Sequence, residues 1–130
     1  MSTTVNVRGN FGSTGNTVME IICTGTVGAS PIGSLHVQTL TGIFEGTLTQ
    51  LVVFPEGDGL HAVGTALGYF QQTGVSSLRQ SQAAIGIVGT PSGTPGQAAV
   101  VLMDHNTGTP FFTSNMQALQ ANGHAAITGQ

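Results

Sequence analysis

The stretch Gly42–Phe70, GIFEGTLTQLVVFPEGDGLHAVGTALGYF, decides the fold because it contains two long strand-like runs joined by a turn. In the first run, Ile43–Phe54, bulky and polar residues alternate, which is the pattern of a half-buried strand. Pro55-Glu56-Gly57-Asp58-Gly59 then predicts a reversal, because proline lacks an amide proton and glycine tolerates positive φ. In this interpretation the buried face of the first strand carries Phe44, Leu48, Val52 and Phe54. Its polar face carries Glu45, Thr47 and Thr49.

The second run, Leu60–Phe70, carries a row of four small residues on one of its faces. They are Ala62, Gly64, Ala66 and Gly68, and the other face carries His61, Val63, Thr65, Leu67 and Tyr69. A stripe without large side chains indicates that something comes close to the strand, or that the strand bends sharply. The sequence leaves three candidates for that close neighbour: a ligand, another subunit, and the protein's own core.

The rest of the chain contains further short strand patterns separated by turns rich in Gly and Pro. The predicted strands are Thr3–Arg8, Thr17–Thr24, Ser34–Thr41, Gln82–Gly89, Gln97–Met103, Pro110–Thr113 and Ala125–Thr128. Ser114 is predicted to cap one short helix that runs through Ala121, with Met116 and Leu119 directed inward. We therefore expect one all-β domain, residues 1–130, built as an antiparallel β-barrel or β-sandwich of about 7–9 strands.

Charged residues make up only 5% of the chain, whereas about 25% is usual in soluble proteins. The chain has two arginines, Arg8 and Arg79, and no lysine, and its formal net charge is −3. Two arginines cannot form a basic patch for phosphates, so neither nucleic acid nor an anionic membrane is an expected partner. Weakly charged copies repel each other little, and no lysine protects the strand edges, so we expect a homo-oligomer.

The single cysteine and the hydropathy pattern bear on the cellular setting. Cys23 has no partner for an intramolecular disulfide, and its apolar neighbours favour a buried small side chain over a reactive thiol. No basic and apolar signal-peptide pattern follows Met1, and the apolar run Ala98–Met103 is too short to cross a bilayer. The expectation is a soluble, glycine-rich protein that is synthesised in a cytoplasm and does not insert into membranes.

Histidines and carboxylates supply the weak candidates for a functional site. His61 follows Glu56 and Asp58 closely, but this spacing provides too few ligands for zinc or calcium, so no metal and no cofactor are predicted. Asp104 and His105 end a buried strand, where an ordinary turn is favoured over a catalytic site.

Two further groups lie on predicted strands. If the sheet closes, His36 could line a cavity with Tyr69. Glu20 is more simply explained by an ion pair with Arg8 or Arg79 than by catalysis. Neither a serine nucleophile elbow nor a phosphate-binding loop is present in the sequence.

The segment Val63–Phe70, VGTALGYF, preceded by the strand Leu51–Phe54, resembles the corresponding hairpin of dirigent and allene-oxide-cyclase-type β-barrels. The resemblance lies within residues 51–70 of the 130-residue chain and implies a barrel. Pro55-Glu56 stands where that family has an acidic pair, and Asn106-Thr107-Gly108 does not match its glycine-rich segment. No catalytic residue is therefore carried over.

Two functional hypotheses follow from the sequence. The first is a non-enzymatic, self-associating β-domain with a structural or adhesive role in a homo-oligomer, because charge and specific catalytic motifs are scarce. The alternative is a barrel that encloses a small apolar ligand, with cyclase- or isomerase-like action by His36, His61, Tyr69 and a carboxylate. A sugar-binding module is a third and weaker hypothesis, because the chain has one Tyr and no Trp, the residues that usually stack on sugars.

Overall fold

A computed structural model describes residues 2–12, 17–57, 59–89, 96–120 and 122–128, without the side chain of Glu56. All secondary structure in these ranges is β. The strands are β1 (Thr4–Phe11), β2 (Val18–Thr26), β3 (Gly33–Thr39), β4 (Gly42–Glu56), β5 (Gly59–Gln72), β6 (Arg79–Gly89), β7 (Gln97–Asp104), β8 (Pro110–Ala118) and β9 (His124–Thr128). Across these ranges there is no helix of the length and hydropathy needed to cross a membrane.

The strands form one antiparallel sheet in which β1 to β8 pair in chain order and β9 pairs with β1. The sheet curls so that its ends approach each other. At the end of β8, the Gln120 amide donates to the Asn10 carbonyl over 2.9 Å, and the Leu119 amide donates to the Gly96 carbonyl over 3.0 Å. The prediction of an all-β, antiparallel, barrel-like domain is confirmed.

The core fills the concave side of this sheet. Each strand contributes alternate residues to it, as the pleat of a β-strand requires. The largest fully buried side chains include Phe11, Ile21, Leu35, Phe44, Ile87 and Leu102. Residues that alternate with them therefore lie on the convex outer surface, and this parity decides where each candidate functional group is found.

A bulge in β4 makes the predicted face of this strand wrong in its second half. Leu48 pairs with Ala66 and Gln50 pairs with Thr65, so Thr49 is an extra residue in β4. The Thr49 hydroxyl lies 2.8 Å from the Thr65 hydroxyl. An extra residue reverses the alternation beyond it. As a result, Leu51 is buried, whereas the outer surface receives Val52 and Phe54.

The small-residue stripe of β5 faces the protein's own core. Ala62 and Ala66 are almost fully buried, and a Cβ at Gly64 would meet the Gln50 carbonyl oxygen and the side chains of Leu51 and Ile85. At Gly68 a Cβ would overlap the backbone of β4. Within the described structure, the close neighbour of the stripe is therefore the adjacent strand together with the core.

The predicted helix from Ser114 to Ala121 is wrong, because residues up to Ala118 belong to β8. β8 pairs with the apolar strand β7 through a ladder that contains two irregularities. These hydrogen bonds along a buried neighbour outweigh the weak helix preference of a Ser- and Asn-containing segment. Ser114 is buried in the strand and caps nothing, and Met116 lies on the outer surface.

Some turn predictions fall beyond the described ranges. They concern residues 13–16, Asp58, residues 90–95 and Ala121. The stop predicted at Asn122-Gly123 is a turn between strands, in which Asn122 has a φ of 73°.

Candidate functional site

A ladder of polar and charged side chains crosses the outer surface of β1 to β4, where the register brings neighbouring strands together. Arg8 Nη2 lies 3.9 Å from Glu20 Oε2, and His36 Nε2 lies 3.3 Å from Glu20 Oε1. On the other side of the imidazole, His36 Nδ1 is bonded to Glu45 Oε1. The Nε2 contact is not aligned as a hydrogen bond. Thus one histidine is held between two carboxylates, and Arg8 is one of the two partners predicted for Glu20.

Glu45 also borders a groove on the outer surface, which we call the Tyr69 groove. Glu45 is paired across the β4–β5 ladder with Tyr69, and the groove between β4 and the β5–β6 loop has a volume of about 350 Å³. Its walls are Ile43, Glu45, Tyr69, Gln71 and Leu78. Ile43 and Gln71 also line an adjoining depression of about 410 Å³, whose other walls are residues 72–76.

Hydrogen bonds attach the β5–β6 loop beside this groove to the sheet. The Thr73 amide donates to the Thr41 carbonyl over 2.9 Å, and Gln71 Nε2 donates to the Val75 carbonyl over 3.2 Å. The loop thereby brings Val75 and Leu78, which are both exposed, next to the start of β4. A concave, mainly apolar surface with one carboxylate and one phenol is the result.

The structure brings His36 and Tyr69 to one region, on either side of Glu45, but on the outside of the sheet. Their neighbours Leu35, Val37 and Phe70 point into the core. Side chains on the convex face cannot act on a ligand inside the barrel. The geometry therefore does not support the alternative hypothesis of interior catalysis by His36 and Tyr69.

His61 also lies on the outer surface, distant in register from His36. Its ring centroid is 5.5 Å from that of Phe54. Asp58 and the side chain of Glu56, its predicted neighbours, are outside the described part of the chain. Within that part, no group of three or more His, Cys, Asp or Glu side chains is arranged to hold a metal ion.

Asp104 and His105 stabilise the β7–β8 turn. Asp104 Oδ1 accepts hydrogen bonds from the amides of Asn106 at 2.8 Å and Thr107 at 3.2 Å, and Arg79 Nε donates to Oδ2 at 3.0 Å. The Arg79 hydrogen bond, followed by that of Asn106, lowers the pKa of Asp104. His105 Nδ1 lies 3.0 Å from Gln82 Nε2. These interactions of Asp104 stabilise the turn and bind Arg79, which favours the ordinary turn over a catalytic site.

A row of apolar residues crosses the outer side of β4 to β8, and we call this row the apolar outer face. Val52 is paired with Val63, Val63 with Gly86, and Gly86 with Ala99. The β7–β8 irregularity brings Met116 into line with this row, and a Cβ at Gly86 would lie 3.2 Å from Met116 Cε. Because Gly86 and Ala99 are small, the row has a shallow centre between Val63 and Met116.

Sequence reasoning missed Glu45, Ile43 and Leu78 as parts of a groove. The alternation in β4 places Glu45 correctly on the polar face, but its proximity to His36 and Tyr69 depends on the pairing of three strands. Only a register between β3, β4 and β5 could have grouped these residues.

Comparisons with family models, with curated proteins and with solved structures find no match for this chain. The resemblance of Val63–Phe70 to dirigent and allene-oxide-cyclase-type barrels stays a prediction. The surfaces of the molecule are therefore the basis for a functional proposal.

Proposed function

We propose that this protein is a non-enzymatic β-domain that self-associates into a homo-oligomer with a structural or binding role. The observation that carries the proposal is the apolar outer face. It crosses five strands, and 45% of Val63 and 55% of Val52 are exposed to solvent. An apolar surface that extends over several strands is typical of protein–protein contacts.

The distribution of charge supports this surface as the contact between copies. The ionised side chains of the described residues are on the β1–β4 ladder (Arg8, Glu20, Glu45) and beside the β7–β8 turn (Arg79, Asp104). None of them belongs to the outward-facing positions of β5 to β8. Two copies can therefore bring the outward-facing positions of β5 to β8 together without desolvating any of these described charges, and desolvation of charge is a large cost at many interfaces.

The ends of the sheet offer a second contact for assembly. β8 and β9 are the terminal strands in the described sheet order, and each pairs with only one neighbour. Unpaired strand edges without charged protection favour pairing with another chain. Growth through an edge and burial of the apolar outer face are compatible, since β8 contributes Met116 to that face.

Sedimentation velocity with light scattering over a wide concentration range tests the proposal. The wild-type chain is expected to form a discrete homo-oligomer, and Val63→Glu is expected to shift it to monomer. Met19→Glu is the matched control, because Met19 is 46% exposed but lies on β2, outside the apolar outer face. Circular dichroism and thermal unfolding establish that both variants fold.

Two results would overturn the proposal. One is a wild-type chain that stays monomeric at every concentration. The other is an equal loss of association in Val63→Glu and Met19→Glu, because this would assign the effect to added charge and not to the apolar outer face.

A further inference from the structure

We propose that the Tyr69 groove binds a small organic cation with an apolar body, whose ammonium group is held between the Glu45 carboxylate and the Tyr69 ring. This binding site is separate from the self-association surface: its wall residues are Ile43, Glu45, Tyr69, Gln71 and Leu78. The inference does not rest on the proposed oligomer.

The groove has the composition of a small-molecule site. Such sites are clefts of about 300–1,000 Å³ with mainly apolar walls and a few polar groups that fix orientation. The apolar walls of the groove of about 350 Å³ are Ile43, Leu78 and Tyr69, and the groove shares Ile43 and Gln71 with the depression of about 410 Å³. Apolar contacts can therefore hold the body of a ligand while polar groups converge at one end.

The charge at that end selects a cation. Glu45 lines the groove and is 66% exposed, and its bond to His36 involves Oε1 and not Oε2. Tyr69 is its direct partner across the ladder. A carboxylate beside an aromatic face is a common recognition element for ammonium groups, because both attract positive charge.

No arginine of the described chain neutralises this end of the groove. Arg8 is paired with Glu20, on the far side of His36. Arg79 stacks over Phe111 at 4.3 Å and bonds to Asp104, and Phe111 in turn contacts the core residue Phe70. Anions are therefore disfavoured in the groove, and a neutral ligand would gain no charge-assisted contact with Glu45.

The sequence provides a direct spectroscopic probe. Tyr69 is the single Tyr of a chain without Trp, so intrinsic emission at long wavelength reports this groove alone. Three ligands of similar size separate the contribution of the charged group from that of the apolar body. They are 2-cyclohexylethylammonium, 2-cyclohexylethanol and 3-cyclohexylpropanoate. The ammonium is expected to give a saturable change in Tyr69 emission and to bind at least about tenfold more tightly than the alcohol. The propanoate is expected to bind more weakly than the alcohol.

Variants locate the interaction, with calorimetry as a second readout. Glu45→Gln should weaken ammonium binding by about tenfold and leave alcohol binding unchanged. Tyr69→Phe should retain ammonium binding, because the aromatic face persists. The control is Glu20→Gln, which removes the same charge from the opposite side of His36 but no atom from the groove, and its expected effect is less than about twofold.

Several outcomes would overturn the inference. Absence of ammonium binding, or equal affinity for the ammonium and the alcohol, would rule out recognition of a cation. Equal losses of affinity in Glu20→Gln and Glu45→Gln would rule out a local contact with Glu45. Dissociation of a wild-type oligomer by Leu78→Glu would instead identify the groove as a contact between copies. Since Val63→Glu leaves the groove intact, ammonium titration of that variant separates failure of this site from failure of the oligomer proposal.

Discussion

Gly68 lies directly opposite Gly46 in the β4–β5 ladder, and the two backbones are so close that neither position has room for a side chain on the concave side. A Cβ at Gly68 would overlap the Glu45 carbonyl oxygen and the Cα of Gly46. The backbones of β4 and β5 are therefore in close contact beside Glu45 and Tyr69, which border the groove on the other face of the sheet.

We expect Gly68→Ala to destabilise the fold by about 3 kcal/mol or more, since overpacking against backbone cannot be relieved by a rotamer change. Gly86→Ala is the matched control in β6, where the nearest atom is the flexible end of Met116 at 3.2 Å. Its cost should stay below about 1 kcal/mol, because alanine also favours an extended strand over glycine. Urea unfolding of both variants measures the difference, and similar free energies of unfolding would contradict the close approach.

Two buried serines should respond in opposite ways to loss of the hydroxyl. Ser114 Oγ has no hydrogen-bond partner within the described structure, whereas Ser81 Oγ donates to the Arg79 carbonyl over 2.9 Å. Ser114→Ala should therefore be neutral or stabilising by up to about 1 kcal/mol, and Ser81→Ala should destabilise by about 1 kcal/mol. Thermal and urea unfolding compare them. A larger loss for Ser114→Ala would reveal a bonded hydroxyl.

Asp104 should contribute to the pH dependence of stability. Because its pKa is lowered from 3.8 in the folded protein, mainly by Arg79, its contribution is present above that value. The contribution is lost as the pH falls through the lower, folded pKa. The stability difference between wild type and Asp104→Asn should therefore shrink below about pH 4.

Urea unfolding at a series of pH values measures this difference, and the Arg79→Gln background provides the control. The pH-dependent part should be smaller there because the largest cause of the shift is absent. A difference that grows toward acid would contradict the assignment.

The thiol of Cys23 should be protected in the native state. It is fully buried, and this burial raises its pKa from 9.0 to about 12. A thiol reagent at about pH 8 should therefore react only as fast as the fold opens, and at once in denaturant. In Gly68→Ala, the labelling rate should exceed that of the wild type by the same factor as the equilibrium constant for unfolding. Rapid native labelling would show that Cys23 is accessible.

Much of the strand content could be predicted, because alternation and turn residues are local signals. The hairpin at Gly42–Phe70 and the strand β7 were accessible in this way, although β7 is buried on one face and not on both. Arg8 was one of the two partners expected for Glu20. The failures have a common cause, which is the influence of a neighbouring strand. Thr49 gives no sequence signal of a bulge. Ser114 begins a segment with a helix-like pattern, and this segment becomes a strand because it pairs with β7.

The sequence by itself determined the class of the fold, the scarcity of charge and the small side chains of β5, because these depend on residue type and on a period of two. Tertiary structure decided what the small residues touch and which surface each functional group occupies. An extra residue at Thr49 moves Val52 to the outer surface, and strand register places Glu45 between His36 and Tyr69. Both effects arise from pairing between strands, which a one-dimensional pattern does not specify.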